Sequence, residues 1–298
     1  MSRTLTVGLD GSAVSMAAVH WAAAEASRRG TGLRLLHVWD IRPDVHSPLA
    51  LTPAEQDRRS DWIPRRAADQ VRAAHPALEV ATSYVCGDPV EVLCEAAAES
   101  ELLVIGSRGL GTVAGYVLGS VSLAVAAHAP RPVVFVRGPK EDPGSPGGPA
   151  APQPPGTVVV GVDLTSGSDA VLAFALAHAD RHGAAVRAVH SWSPPPFHGA
   201  ESTPAGHDLT AEVAAAKEAA LAEVLEPWRR KFPAVPVTAQ CSLGRPAHEL
   251  VDAAQDAGLV VVGRSARRSP LGAHLGAVAH AVLHHCLAPV AVVPHADV

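Results

Sequence analysis

The residues with the clearest potential for chemistry lie between positions 104 and 122, in the stretch VIGSRGLGTVAGYVLGSVS. An apolar run stops at its first glycine, four more glycines follow, and two serines open an alanine-rich segment with helical periodicity. Glycine this dense between a strand and a helix indicates a backbone that takes positive φ angles or lies against another group. The free N–H groups and positive dipole end of the helix favour an anion. We therefore predict a phosphate-binding loop formed by Gly106, Gly109, Gly119, Ser120, Val121 and Ser122.

A second polar segment, Asp10-Gly11-Ser12, follows the first apolar run of the chain. Asp10 is a short hydrogen-bond acceptor, which suits a base or a ribose better than a phosphate. Its carboxylate is also suited to cap the helix that follows, and the two roles are compatible. In parallel sheets, ligands bind beyond the carboxyl ends of the strands where the strand order reverses. We therefore expect Asp10 and the glycine-rich loop to share one site.

The sequence segments that must position these residues occur twice in the chain, as an internal repeat. TVGLDGS near the start is matched by VVGVDLTS, which places Asp10 on Asp163, 153 positions later. The glycine loops align at an offset of 157, with Gly106 on Gly263. Residues 138–156, between the copies, are nearly all Pro, Gly, Ala and charge, which is typical of a semi-extended linker. Collinear matches of this length predict two homologous domains, at 1–137 and 157–298.

Each copy alternates short aliphatic strands with helical patterns. Strands that are almost continuously aliphatic indicate a parallel sheet covered by helices on both faces. Right-handed crossovers then favour a doubly wound, five-stranded α/β domain. In the first copy we expect strands at 5–9, 33–38, 79–85, 102–105 and 132–136, and helices at 18–30, 53–74, 89–99 and 119–128.

Composition excludes several classes of function. With 24 Lys+Arg against 29 Asp+Glu, the net charge of −5 gives no electrostatic reason to expect nucleic acid or an anionic membrane as partner. The four cysteines have no zinc-ligand spacing, and the first residues lead directly into a strand, so we expect reduced thiols in a cytoplasmic protein. His37 and His190 are expected to be core residues. His280 and His284 have no third ligand, so no metal site is predicted.

The loop also resembles the nucleotide loop of a known family. The pattern Gly106-x-x-Gly109, nine residues, then Gly119-Ser120, together with GLDGS, LLHVW and GSVSLAVAAHAPRPVVFV, is similar to the universal stress protein family. The resemblance covers both domains and implies adenine nucleotide alpha hydrolase-like sheets with strand order 3-2-1-4-5. It also implies bound ATP with its Mg²⁺, an adenine-side contact from Asp10 and a backbone contact at Val38. The implied site consists of Gly8, Asp10, Val38, Gly106, Arg108, Gly109, Gly119, Ser120, Val121 and Ser122.

The same resemblance implies a mode of assembly. Members of the family commonly pair through the last strand of the domain. A tandem chain is then expected to pair residues 133–136 with residues 290–293 internally, and to dimerise again.

The second copy departs from the nucleotide-loop pattern. Ala266 stands where the first copy has Gly109, and Ala277 replaces Ser120. A methyl group at a positive φ angle and the loss of a hydroxyl donor would each cost about 1 kcal/mol. Arg264, Arg267 and Arg268 in the same loop are able to restore part of the anion affinity, so the second site is predicted to be weakened or silent. We therefore expect ATP mainly in the first domain of a nucleotide-dependent stress-response regulator.

No catalytic set accompanies the loop. The sequence has no GxSxG elbow, no GxxxxGK[ST] loop and no lysine near the glycines, so we predict no catalytic residues. A GxGxxA match at 109–114 follows the fourth strand, not the first, which argues against a dinucleotide site. Two alternatives stay open at this point. One is a slow ATP hydrolase or phosphotransferase that uses the same loop, and the other is a structural or interaction protein without nucleotide.

Overall fold

The computed structural model describes residues 4–39, 62–107, 118–138, 156–165, 167–193, 204–265 and 275–295. Side chains in the helix that begins at Pro204 are described from Thr210 onwards. The chain divides into two compact units, Met1–Gly147 and Gly148–Val298. The predicted linker lies outside the described residues except at its two ends.

The first unit is a five-stranded parallel sheet with helices between the strands. Its strand order is β3-β2-β1-β4-β5, so the predicted doubly wound fold and its order are confirmed. The elements are β1 (Thr4–Gly8), α1 (Ala13–Arg29), β2 (Gly32–Trp39), α2 (Trp62–Ala74), β3 (Val80–Cys86), α3 (Pro89–Glu99), β4 (Leu102–Ser107), α4 (Ser120–His128) and β5 (Val133–Arg137).

The second unit repeats this plan. Its parallel strands lie in the order β8-β7-β6-β9-β10, which is the same order as in the first unit. The elements are β6 (Thr157–Gly161), α5 (Asp169–His182), β7 (Val186–Trp192), α6 (Pro204–Lys231), β8 (Val237–Leu243), α7 (Pro246–Ala253), β9 (Ala257–Ser265), α8 (Ala277–His285) and β10 (Val290–His295).

Helix α1 begins earlier than the sequence pattern predicted. The Ser12 hydroxyl accepts a hydrogen bond from the Ser15 N–H at 3.1 Å and caps the helix before its alanine-rich part begins. The helix ends at Gly30, whose φ of 63° is the left-handed conformation that glycine adopts at a helix C-terminus. Between these ends, Ala18, Ala22 and other small residues are fully buried. Their size brings α1 close to the sheet, so the position of β4 relative to α1 is tightly defined.

Both histidines predicted as core residues lie in the core. The Nδ1 of His37 lies 2.7 Å from the carbonyl oxygen of Leu9, and the Nδ1 of His190 lies 2.9 Å from that of Val162. In each unit this bond joins the second strand to the loop that follows the first strand. The two histidines therefore hold in place the loops that carry Asp10 and Asp163.

Candidate functional site

The first unit contains a cavity of about 300 Å³ beyond the carboxyl ends of β1 and β4. β1 lies between β2 and β4 in the sheet. From β1 the strand order runs in one direction through β2 and β3 and in the other through β4 and β5, so the order reverses at this cavity. Arg108 and Gly109 lie outside the described residues. The other predicted site residues all line this cavity: Gly8, Asp10, Val38, Gly106, Gly119, Ser120, Val121 and Ser122.

The loop between β1 and α1 holds a carboxylate at the cavity. Oδ1 of Asp10 accepts the N–H of Ser12 at 2.9 Å, and the Asp10 N–H donates to Ser15 Oγ at 3.4 Å. Gly11, with a φ of 83°, makes the turn that allows these bonds. Partial burial raises the pKa of Asp10, but hydrogen bonds from Ser12 and Ser15 outweigh it and hold the pKa below the ordinary value of 3.8. Asp10 therefore carries a negative charge at neutral pH.

The first turn of α4 presents backbone donors to the same cavity. Its N-cap is Gly119, which has no side chain to occupy the donors. The first bond along the helix runs from the N–H of Leu123 to the carbonyl of Gly119 at 2.9 Å. The N–H groups of Ser120, Val121 and Ser122 precede this bond and have no acceptor within the helix. Together with the helix dipole they give this wall of the cavity a positive character.

Ser122 joins the two parts of the glycine-rich segment that the structure describes. Its hydroxyl donates to the carbonyl oxygen of Gly106 at 3.3 Å, which fixes the start of α4 against the end of β4. Ser122 was predicted as a ligand contact, and its hydroxyl already has this backbone partner. The exposed Ser120, two residues earlier, lines the cavity as well.

The group against which Gly106 lies belongs to the protein itself. A Cβ there would lie 3.0 Å from the backbone N of Ser15, and 3.0 Å from both the carbonyl carbon and Cγ1 of Val14. The start of α1, and not a ligand, occupies that space. Gly106 is therefore required by the packing of α1 against β4.

Several lining residues were not predicted. Leu36, Pro89 and Leu93 give the cavity an apolar wall, and Ser12 and Ser15 lie beside Asp10. The signal for the apolar wall was present in the repeat, because GDPVEVL in the first copy matches GRPAHEL in the second. Among the described residues of the lining, Asp10 is the only ionisable side chain.

The second unit has a corresponding cavity of about 270 Å³. Oδ1 of Asp163 accepts the N–H and the hydroxyl of Thr165 at 2.8 and 2.7 Å, as Asp10 accepts the N–H of its own loop. The first residue of α8 is Ala277, in place of Ser120. Ala266, Arg267 and Arg268 lie outside the described residues.

Arg264 does not supply the charge to this cavity that the sequence analysis expected. Its side chain is buried, with 6% of its surface exposed, and it is not among the described residues that line the cavity. Successive strand residues point to opposite faces. Because Gly263 lies at the cavity, its neighbour on β9 points away from it.

Comparison with known proteins agrees with this architecture. The universal stress protein family matches residues 1–137 and 155–294. A universal stress protein of Mycobacterium tuberculosis is 34% identical over 294 residues, covering 97% of this chain and 96% of its own. The crystal structure of a universal stress protein from Archaeoglobus fulgidus has the same fold, with a TM-score of 0.69, 18% identity and 99% of both chains covered. A universal stress protein solved in complex with cAMP is 31% identical and covers 46% of this chain and 99% of its own, with a TM-score of 0.38.

None of the helices in the described parts of the chain is both long and apolar enough to cross a bilayer. Family matches across both units, and a relative aligned along nearly the whole of each chain, place this protein in the universal stress protein family, in its tandem two-domain form.

Proposed function

We propose that this protein is a nucleotide-dependent regulator that binds ATP in the cavity of its first unit. The observation that carries the proposal is the composition of that cavity. A charged carboxylate, an apolar wall and an uncapped helix N-terminus surround about 300 Å³ of space. These are three different chemical surfaces, and they suit the three parts of a nucleotide: sugar, base and phosphates.

The base and the ribose would occupy the half of the cavity near β1 and β2. Leu36, Pro89 and Leu93 supply apolar surface for the faces of an adenine ring. The carboxylate of Asp10 is an acceptor for the ribose hydroxyls or the adenine amino group. Val38, at the end of β2, would contribute its backbone.

The phosphates would lie at the first turn of α4. The N–H groups of Ser120, Val121 and Ser122 and the hydroxyl of Ser120 are donors of the kind that bind phosphate oxygens. The one carboxylate among the described lining residues, Asp10, is assigned to the base and ribose. The Mg²⁺ that travels with ATP would therefore be held by the phosphates themselves.

We propose that the site binds ATP without turning it over. Asp10 is the only ionisable side chain among the described lining residues, and a carboxylate with a lowered pKa is a weak base. It also belongs to the sugar half of the cavity. Phosphate release from the full chain should stay below about one turnover per minute, far slower than typical enzymes.

Regulation would follow from the position of α4. ATP bound to its first turn and to the loop of Asp10 joins α4 to the start of α1. Bound ATP then favours the arrangement of these two helices that binds it more tightly. The size of the shift is set by the difference in ATP affinity between the arrangements. A protein partner that contacts α4 would distinguish the bound from the free state.

Calorimetric titration of the full chain with ATP and Mg²⁺ tests the proposal. We expect about one ATP per chain. Asp10→Asn should weaken binding about tenfold, because it replaces a charged oxygen that would accept a hydrogen bond from the ligand. The matched control Asp163→Asn, at the same place in the second unit, should leave ATP affinity unchanged. Absence of binding, or a loss caused by Asp163→Asn and not by Asp10→Asn, would refute the proposal.

A further inference from the structure

Gly106 on β4 and Gly263 on β9 are equivalent, but different residues fill the space beside them in the two units. In the first unit the side chain of Val14 takes this space. A Cβ on Gly106 would lie 3.0 Å from Cγ1 of Val14, and a Cβ on Gly138 would lie 2.8 Å from its Cγ2. Both glycines leave room for the same valine.

In the second unit the side chain that fills this space stands at the position equivalent to Gly138, not at the position equivalent to Val14. The residue equivalent to Val14 is Gly167, and the residue equivalent to Gly138 is His295. A Cβ on Gly263 would lie 2.9 Å from both Cδ2 and Nε2 of His295. An imidazole ring thus lines the second cavity where the first has an aliphatic side chain.

At the same end of the second cavity, the first turn of the helix lacks the two hydroxyl groups present in the first unit. The first turn of α8 has Ala277 and Ala279 where α4 has Ser120 and Ser122. The bond from Ser122 that ties α4 to the end of β4 therefore has no counterpart here. Among the described lining residues, the second cavity therefore has fewer phosphate donors than the first, and the ring of His295 occupies part of its phosphate end.

The half of the cavity suited to base and sugar is retained. The Asp163 N–H donates to Ser168 Oγ at 3.1 Å, and Pro246 and Leu250 supply the apolar wall. His190 also lines the cavity, and its Nε2 is buried with no hydrogen-bond partner among the described residues. Because Nδ1 of His190 pairs with a carbonyl, Nε2 of the neutral ring is an acceptor. A hydroxyl or amino group of a ligand would satisfy it.

We propose that the second unit is a separate site for a purine nucleoside, a ligand with base and ribose but without phosphates. The inference rests on the proposed function in one respect, that the half of the first cavity next to Asp10 takes base and ribose. The chain would then bind two different adenine compounds, a nucleotide in the first unit and a nucleoside in the second.

Adenosine is the probe for the test. The full chain is saturated with ATP and Mg²⁺ and titrated with radiolabelled adenosine by equilibrium dialysis. We expect one adenosine per chain in the presence of ATP. Asp163→Asn should weaken adenosine binding about tenfold and leave ATP binding unchanged, since one acceptor for the sugar or base is lost. Asp10→Asn should do the reverse.

A second experiment rebuilds the phosphate end of the cavity. The triple variant Gly167→Val, His295→Gly and Ala277→Ser gives the second unit the residues that the first has at positions 14, 138 and 120. We expect a second ATP per chain and at least about a tenfold loss of preference for adenosine. Circular dichroism establishes that the variant folds. If it does not, the exposed substitution Ala277→Ser alone should still raise ATP affinity at the second site.

Three results would overturn the inference. They are complete displacement of adenosine by ATP, adenosine binding that is insensitive to Asp163→Asn, and two ATP per unaltered chain. Adenosine binding that depends on Asp163, in a chain that binds no ATP at all, would support this inference while the proposed function fails. The two proposals are therefore separable.

Discussion

Replacement of Gly106 by alanine should destabilise the first unit and weaken its nucleotide site together. The added Cβ would lie 3.0 Å from three atoms at the start of α1, which belong to Val14 and Ser15. Favourable contacts between carbon atoms lie at about 3.5–4.0 Å, so the new contacts are repulsive. Two of the three atoms are backbone and cannot move by a change of rotamer. A retreat of the helix from the sheet would lose the close packing of its buried small residues, such as Ala18 and Ala22.

The magnitude follows from this geometry. Overpacking in a closely packed interior costs about 1–3 kcal/mol. In a unit of this size each 1 kcal/mol lowers the Tm by about 2–4 °C, so a decrease of about 2–12 °C is expected. If the strain is relieved by a shift of the first turn of α1, then Ser12 and Ser15 move with it. Since these residues fix Asp10, ATP affinity should fall as well.

The chain supplies its own control in Gly263, the equivalent glycine of the second unit. The three atoms nearest to a Cβ there belong to side chains, two in the His295 ring at 2.9 Å and Cγ2 of Val171 at 3.1 Å. Side chains can adopt another rotamer, so Gly263→Ala should lower the free energy of unfolding by less than Gly106→Ala. Thermal unfolding by circular dichroism, with hydrogen exchange of the amides of α1 and α5, measures both effects. Unchanged exchange in α1 of Gly106→Ala, or a larger loss in Gly263→Ala, would refute the packing argument.

Three further predictions concern the elements around the first cavity. Gly11→Ala should cost about 1 kcal/mol in urea unfolding, because φ is 83° there. Its control Gly32→Ala should be nearly neutral, because the atom nearest to the added Cβ is the carbonyl oxygen of Glu79, at 3.8 Å. Asp88→Ala should cost about 1 kcal/mol in the same assay, because it removes the cap bond to the N–H of Val90 at 2.8 Å. The lowered pKa of Asp10 stabilises the fold above the unfolded value near 3.8, and this contribution is lost as the pH falls through the folded pKa. Melting temperatures measured between pH 7 and pH 2 should therefore fall less steeply with decreasing pH in Asp10→Asn than in the unaltered protein. The same fall in both proteins would contradict the lowered pKa of Asp10.

The fold could be predicted because its signals are local and are repeated. Aliphatic strands that alternate with alanine-rich helices specify a parallel sheet covered by helices. The second copy of the sequence shows the same alternation and so supports the elements predicted for the first. The strand order came from the family resemblance, since local patterns do not encode which strands are neighbours. The start of α1 was placed too late because the pattern of buried residues begins after the cap at Ser12.

The site was predictable where it depends on residue type and not where it depends on packing. Asp10 and the first turn of α4 could be identified because a carboxylate after a strand and serines after a glycine have chemical meaning on their own. The reason for Gly106 lies in its contact with Val14, which is far away in the sequence. His295 is the final residue of the last strand and belongs to no recognisable motif, so only its contact with Gly263 revealed it as a lining residue.

Photolabelling with 8-azido-ATP tests the central claim most directly. The azide sits on the adenine, so the label marks the residues around the base, and peptide mass mapping locates it. We predict label on peptides of the first unit that contain Val38 or Pro89, with protection by excess ATP. Equal labelling of the second unit, or labelling that excess ATP does not prevent, would contradict the account.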